Sequence, residues 1–553
     1  MGSAFSTTIS DPTQFATVWD DTETEDSASL RTYDYIVVGG GTAGCVLASR
    51  LSEDRNTTVL LIEAGASDGN IFSKIPLGFT NLYKTAVDWA YTTVRPWQVE
   101  RYIGPVESFW VARGLFFRKI MGLLLKPLDS VLNALIYHRS SPDDFDQWEK
   151  AGAKGWSYQD LEPDLNANKP VQGIGEFTAF VDDHGTRNTT ARAYLTPEVL
   201  ARPNLTVAVH VTVEKILFTR REPLTAYGVQ LAKSSSSPKF RVAVSKEVIL
   251  CGGVVGSSQL LLLSGVGPKE ELESVGIECI KNLGSIGKHL IDHPTSGPLI
   301  FRAKPGYSLD YLNSPLSGIY AIGNWFMTGS GPLSSKPMSY GAFLRSDDAR
   351  FFDTSLGNVK DLTTSPGSPD LELTWTPAVV PSLTTKGRPG EHGVTFVMLY
   401  LSTESDVDAI LRGVRFIMRV AQTEPLRSLL DPRPEPFRKD DYFWPGNSDP
   451  EKITDDELRA WIRRNGYPAC HPVKLIFLWS LNLVSLYLIK AGTCRMGTSP
   501  ETSVVDPQLR VHGISGLRVM DASVFPTHVS GHPVGPIVAM AEKLADMIKA
   551  SQL

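Results

Sequence analysis

The sequence predicts an α/β protein built around a dinucleotide-binding unit, on three observations. Near the N-terminus an apolar strand runs into a glycine-rich turn and then a helix. A second strand, Lys246 to Leu250, runs into Cys251-Gly252-Gly253 and again into a helix, Ser257 to Leu263. The C-terminal end returns to the same order, with a strand at Leu517–Met520, a turn and an amphipathic helix from Gly535 to Lys549.

The first unit is the most complete. Tyr33 to Val38 enters Gly39-Gly40-Gly41-Thr42-Ala43-Gly44, a helix spans Ala43 to Ser52, and a second strand, Thr58 to Ile62, ends on Glu63. Gly39 permits the tight turn, Gly41 lets backbone approach a pyrophosphate, and Gly44 lets helix and strand pack closely. The anion sits on the helix N-terminus, where unpaired N–H groups and the dipole favour it. A glycine pattern alone is weak evidence, but here strand, helix, second strand and acid agree. Glu63 rather than an arginine ends the second strand, so an unphosphorylated ribose is expected: FAD or NAD, not NADP.

Bulk properties bound the rest. The chain has 553 residues, too many for one ordinary core. A formal charge of −6 without a basic block argues against nucleic acid as a partner. Five scattered cysteines without C-x-x-C spacing suit a reducing compartment and exclude zinc on these residues. Met1 to Leu30 lacks an apolar run and so lacks a secretory signal, which makes the cytosol the expected location. Ser551-Gln552-Leu553 is a poor relative of the Ser-Lys-Leu peroxisomal address, and Met1-Gly2-Ser3-Ala4-Phe5-Ser6 fits the myristoylation pattern.

Four regions are expected. Residues 1–32 are polar and read as a mobile arm. Residues 33–300 form the nucleotide domain, discontinuous, with part of 140–190 contributing to the substrate side. Within it, β-rich alternation from Leu205 to Leu250 is broken by a hairpin-like loop, Ser234 to Pro238. Residues 301–470 carry proline, aromatics and mixed patterns that suit a substrate domain, and 471–553 return to the nucleotide domain. Lys474 to Lys490 encloses fifteen apolar-rich residues. That is short of the roughly 20 needed to cross a bilayer, so the stretch reads as buried or aberrant.

With these residues in hand, the chain resembles the glucose–methanol–choline (GMC) family of flavoprotein oxidoreductases, from Tyr33 to the C-terminus. Ser257 to Gly267, Gly287-Lys288-His289-Leu290-Ile291-Asp292-His293, Gly492-Thr493-Cys494-Arg495-Met496-Gly497, Val505-Asp506-Pro507 and the block Val511 to Ile548 carry the resemblance. It implies a doubly wound, Rossmann-like FAD domain assembled from separated segments and an α+β substrate domain built on an antiparallel sheet. FAD is the implied cofactor. By resemblance Thr42 and Ala43 lie at the pyrophosphate, Glu63 holds the adenosine ribose with Ala64 next to it among the cofactor-binding residues, and Val211 meets the adenine by its backbone. Ser130, Asn133 and Ala134 lie near the flavin, and Asp521 and Ala522 meet ribitol and phosphates. Pro533 and Val534 open a helix beneath the flavin pyrimidine, where its dipole stabilises negative charge.

The resemblance also implies the chemistry. An alcohol yields hydride to flavin N5 only as its hydroxyl proton leaves, so a base near neutral pKa must stand beside the ring. Histidine suits. By resemblance His471 is the expected base and His532 orients the substrate oxygen, or the roles are exchanged. The substrate is expected to be a small alcohol, hydrophobic and of the kind found in fungal secondary metabolism, with the electron acceptor open. His528 and His532 are four apart, as helical metal ligands would be, but no third ligand is spaced to join them and Pro526 and Pro533 break a helix. No metal is expected. G-x-S-x-G is absent, which leaves a serine hydrolase without its nucleophile elbow.

The chain departs from the family in four places. Leu115 to Ser130 stands where a glycine-rich flavin loop belongs, and only Ser130 survives. Eighteen residues, Lys474 to Ala491, separate His471-Pro472-Val473 from Gly492. The stretch between Tyr158 and Thr189 is short, and Phe396 to Ser402 passes straight from one expected strand to a later segment, so the substrate sheet is expected to be truncated. Such interruptions beside intact motifs read as mis-called exon boundaries. The alternatives are an FAD-retaining, hydroxynitrile-lyase-like enzyme and an inactive member.

Overall fold

The computed structural model describes residues 8–19, 30–67, 69, 71–82, 133–165, 172–291, 293–336, 338–352, 363, 365–380, 387–388, 390–400, 407–431, 443–444, 449–468 and 491–551. Ser130, His471 and the two segments 115–130 and 474–490 lie outside the described residues.

Two sheets carry the fold. Among the described residues the first has nine strands and a parallel centre in the order Thr8–Ile9, Leu205–Ala208, Val59–Ile62, Thr32–Val38, Lys239–Leu250, with Leu517–Val519 parallel beside the last. Val37 pairs with Leu61 on one side and Ile249 on the other. Both faces of this centre are covered, which is why Ile36-Val37-Val38, Leu60-Leu61-Ile62 and Val248-Ile249-Leu250 are unbroken apolar runs, all buried. Ala226–Ala232 and Thr212–Phe218 extend it as an antiparallel ribbon around the Ser234–Pro238 loop. The turn helix Thr42–Leu51 and the C-terminal helix Val534–Ala550 are tied by ion pairs, Arg50 to Glu542 and Asp546, and Lys549 to Glu53.

The mobile arm expected over 1–32 is corrected over its described part. Thr8–Ile9 forms the edge of the first sheet, and Thr17–Trp19 pairs antiparallel with Lys239–Arg241. Phe15 is fully buried, and the Arg241 guanidinium carbon lies 3.6 Å from the Trp19 ring centroid. Polar composition dominated the reading, but two aromatic anchors are enough to dock a short segment.

The second sheet has seven strands among the described residues and is antiparallel. Its order is Tyr467–Pro468, Pro294–Thr295, Gly393–Tyr400, Leu371–Thr376, Tyr340–Leu344, Gly173–Glu176, with Leu299–Arg302 also on Gly393–Tyr400. Gly393–Tyr400, where the sequence led us to expect lost strands, is therefore paired along both edges. Side chains alternate between faces along each strand. Leu344, Leu371, Leu373, Phe396, Met398 and Tyr400 pack with the helix Val407–Ala421. The opposite face carries Phe343, Glu372 and Leu399 in line across three strands, then Gly341, Thr374 and Val397. Phe343 and Leu399 on that face pack against Ile136 and Ala134, so this is the face turned toward the segment expected at the flavin.

Candidate active site

The nucleotide end is made of backbone. Gly39 has φ +107°, and a Cβ there would lie 2.3 Å from the carbonyl oxygen of Cys251. At Gly44 a Cβ would come within 1.8 Å of the Gly39 carbonyl oxygen, so neither position admits a side chain. Gly41 differs: an added Cβ would meet nothing within 4 Å. The helix behind it begins at Thr42 without a side-chain cap or an acid in its first turn, and Thr42 and Ala43 are buried behind the opening. Open space in front of uncapped helix N–H groups is the arrangement that accepts a pyrophosphate.

Glu63 is buried at the end of its strand. Its Oε2 accepts the Gly40 N–H at 2.6 Å and its Oε1 the Gly65 N–H at 2.7 Å, so the carboxylate braces both sides of the mouth. The Val211 N–H donates to the Glu63 carbonyl, which places Val211 and Ala64 at the same rim. The predicted residues Gly39, Gly41, Thr42, Ala43, Gly44, Glu63, Ala64 and Val211 therefore come together, and they fit the adenosine diphosphate half of a dinucleotide.

Asp521 closes the next part of the rim, following the Leu517–Val519 strand. Its Oδ2 accepts from the Gly253 N–H at 3.0 Å and the Ser257 hydroxyl at 2.6 Å, and its Oδ1 from the Ser523 N–H at 2.8 Å. Burial raises its carboxyl above the ordinary range against those hydrogen bonds. Ala522 follows in a short 3-10 turn, and its carbonyl accepts from Gly492 N–H. Asn133 is held by the fully buried Arg187, whose guanidinium donates to the Asn133 carbonyl at 2.9 Å and to its Oδ1 at 3.1 Å. Sequence reading missed Arg187, although an arginine just ahead of a Thr-rich helix start was visible.

The reaction end is made of side chains from distant segments. His532 lies one residue before Pro533, which caps Val534–Ala550 with no side-chain hydrogen bond. Its Nε2 is 2.8 Å from Oε1 of Glu372. Glu372 is fully buried, and its Oε2 makes no hydrogen bond to the described residues. With that carboxylate ionised, Nε2–H donates to it and the lone pair of Nδ1 remains for a proton. Glu372 also escaped the sequence reading. Its signal is alternation: Leu371, Leu373 and Trp375 line one face of the strand, and Glu372, Thr374 and Thr376 the other.

Three further histidines surround this pair. His138 stacks on Phe343 with ring centroids 4.2 Å apart, and burial, with the neighbouring His532 and Arg139, lowers its pKa to about 3. The rings of His293 and His528 lie 3.5 Å apart, both buried, with His293 held well below its ordinary value by burial and by His528 and His532. His528 thus packs on His293 rather than joining His532 on one helical face. Among the described residues no group of three or more His, Cys, Asp or Glu is placed to hold a metal. Of the aromatics between Trp325 and Tyr340, Trp325 is buried with its Nε1–H on the Gly185 carbonyl, while Phe326 and Tyr340 are exposed. No described helix is long and apolar enough to cross a membrane.

Sequence models described as GMC oxidoreductase match residues 162–295 and 487–541. Dehydrogenase str4 of Strobilurus tenacellus is 37% identical, over 99% of this chain and 100% of its own. The oxygen-dependent choline dehydrogenase of Staphylococcus xylosus is 30% identical over 94% of this chain and 95% of its own. Among solved structures, a formate oxidase of Aspergillus oryzae RIB40 studied for its FAD modification superimposes with a TM-score of 0.75 at 23% identity, covering 94% of this chain and 98% of that one.

Proposed function

This chain belongs to the GMC oxidoreductase family and is an FAD-dependent oxidoreductase, and from that premise we propose that it oxidises the CH–OH group of a hydrophobic alcohol to an aldehyde or ketone. The observation that carries the reading is the 2.8 Å pairing of His532 with the buried Glu372.

FAD, when bound, accepts the hydride that leaves the carbinol carbon. The remaining work falls to the chain. The hydroxyl proton must leave as the hydride does, and Nδ1 of His532 is the acceptor, with His471 as the second imidazole implied by resemblance. Glu372 fixes the ring through Nε2 and stabilises the imidazolium that forms, as a buried carboxylate does in a catalytic triad. Asn133 is held at the flavin side by Arg187, which removes freedom from the segment that positions the ring. Phe343, Val397 and Leu399 on the same sheet face favour an apolar substrate body. A natural-product alcohol of secondary metabolism is the class we assign.

Anaerobic addition of candidate alcohols to purified protein tests this. The visible flavin bands should bleach with formation of one carbonyl per FAD. Turnover of a cyanohydrin without bleaching would instead establish a lyase, and a colourless protein that takes up no FAD an inactive member.

A further inference from the structure

We propose that His138 is a positioning residue for His532: a ring wedged between the substrate sheet and the Gly531 bend that sets where the proton-accepting imidazole stands. The inference rests on the assignment of His532 above.

The contacts around His138 form a closed circuit. One face of its ring stacks on Phe343 at 4.2 Å with planes 20° apart. Phe343 is the direct cross-strand partner of Glu372, so the two side chains stand together on one sheet face. Glu372 holds His532 at 2.8 Å. His532 follows Gly531, and a Cβ on Gly531 would lie 2.3 Å from Nδ1 of His138 and 2.8 Å from its Cε1. The Gly531 backbone therefore rests directly on the imidazole edge. Gly531 also has φ +103°, a bend that glycine takes without strain.

The same residue reaches the neighbouring helix. A Cβ on Gly535 would lie 2.7 Å from the His138 carbonyl oxygen, so His138 backbone sits against the first turn of Val534–Ala550. Its Nδ1 accepts the Ser140 N–H at 3.1 Å, which fixes the ring angle from its own segment of chain. Asn133 and Ala134, the flavin-side residues, lie on that segment just upstream. His138 thus ties flavin segment, catalytic bend and substrate sheet together.

An imidazole serves here because it stays neutral. Burial above all, with His532 and Arg139 nearby, lowers its pKa to about 3, with only the Ser530 backbone pulling the other way. A lysine or arginine would put a permanent cation beside His532 and oppose its protonation. The titratable groups that interact with His532 include Glu372, His138 and His293.

Three variants separate positioning from support. His138→Phe keeps the ring and its stack but loses the acceptor for Ser140. His138→Asn keeps an acceptor near Nδ1 but loses the ring. His138→Ala loses both. A wedge predicts that His138→Phe melts earlier yet retains kcat within about 3-fold, whereas His138→Asn and His138→Ala lose about 10- to 100-fold in kcat at nearly constant KM and FAD content. If the alanine variant loses FAD, the Phe and Asn variants alone decide. Equal kcat losses in Phe and Asn, or wild-type kcat in Asn, overturn the proposal. His532→Ala is measured alongside: a large loss there with none in the His138 variants rejects the wedge alone, while no loss in His532→Ala rejects the assignment on which it rests.

Discussion

The two ends of the site are built from different materials. The nucleotide end is built from backbone N–H groups, one carboxylate and three glycines within a stretch of 25 residues, Gly39 to Glu63. At the reaction end, Glu372, His532, His138 and Phe343 come from four separated segments and meet only through the tertiary fold. The first construction tolerates no side chain at two of its glycines. The second is expected to answer substitution of its imidazoles and carboxylate chiefly in rate.

The sharpest break in that comparison lies within the glycine turn. Gly44→Val forces atoms into the Gly39 carbonyl and should cost several kcal/mol, enough to prevent recovery of a folded holoprotein. Gly41→Ala has open space around it and should leave the melting temperature of the apoprotein within about 2 °C, while weakening FAD retention at least about tenfold. Thermal melts and flavin content of both proteins check this. An apoprotein destabilised equally by both would show that the turn is built for packing alone.

At the other end, His532→Ala should lower kcat by about 10²- to 10⁴-fold with flavin content unchanged. Steady-state kinetics and the visible spectrum read the two quantities separately. A variant that loses flavin in proportion to rate would merge the two ends.

Stability should depend on pH through the reaction end. His138 and His293 have folded pKa values below the unfolded value of about 6.5. The unfolded chain then binds more protons, so their contribution is intact above about pH 6.5 and is lost as pH falls through the window below it, down to about 3 for His138. Each contributes a slope of at most about 1.4 kcal/mol per pH unit. Urea titrations between pH 5 and 7.5 should show this slope, and His138→Phe should flatten it. The smallest effect is expected where α-helices meet in solvent: Lys549→Ala removes a half-exposed ion pair with Glu53 and should cost under about 1 kcal/mol.

What the sequence reveals follows the same division. The nucleotide unit was readable because its determinants are local: strand, turn, helix and acid succeed one another, and the structure differs from the reading by one residue at each end of the helix, Thr42–Leu51, and at the start of the strand, Val59–Ile62. Asp521 and His532 were found through resemblance rather than pattern. Glu372 was missed because its meaning depends on which strand lies beside it and which face that strand turns to His532. His138 was missed for the same reason, since stacking on Phe343 is a contact across about 200 residues of chain. The polar N-terminus misled in the opposite sense, because Phe15 and Trp19 outweigh the composition around them.

The central claim is that Glu372 and His532 act as one proton-accepting pair beside the flavin. Stopped-flow reduction of FAD by an alcohol under anaerobic conditions, in wild type and Glu372→Gln, measures the chemical step with no acceptor involved. The account predicts a reduction rate slower by about 100-fold or more with the oxidised spectrum intact, because the glutamine neither carries the charge nor stabilises an imidazolium. An unchanged reduction rate in a fully flavinylated Glu372→Gln protein would contradict it.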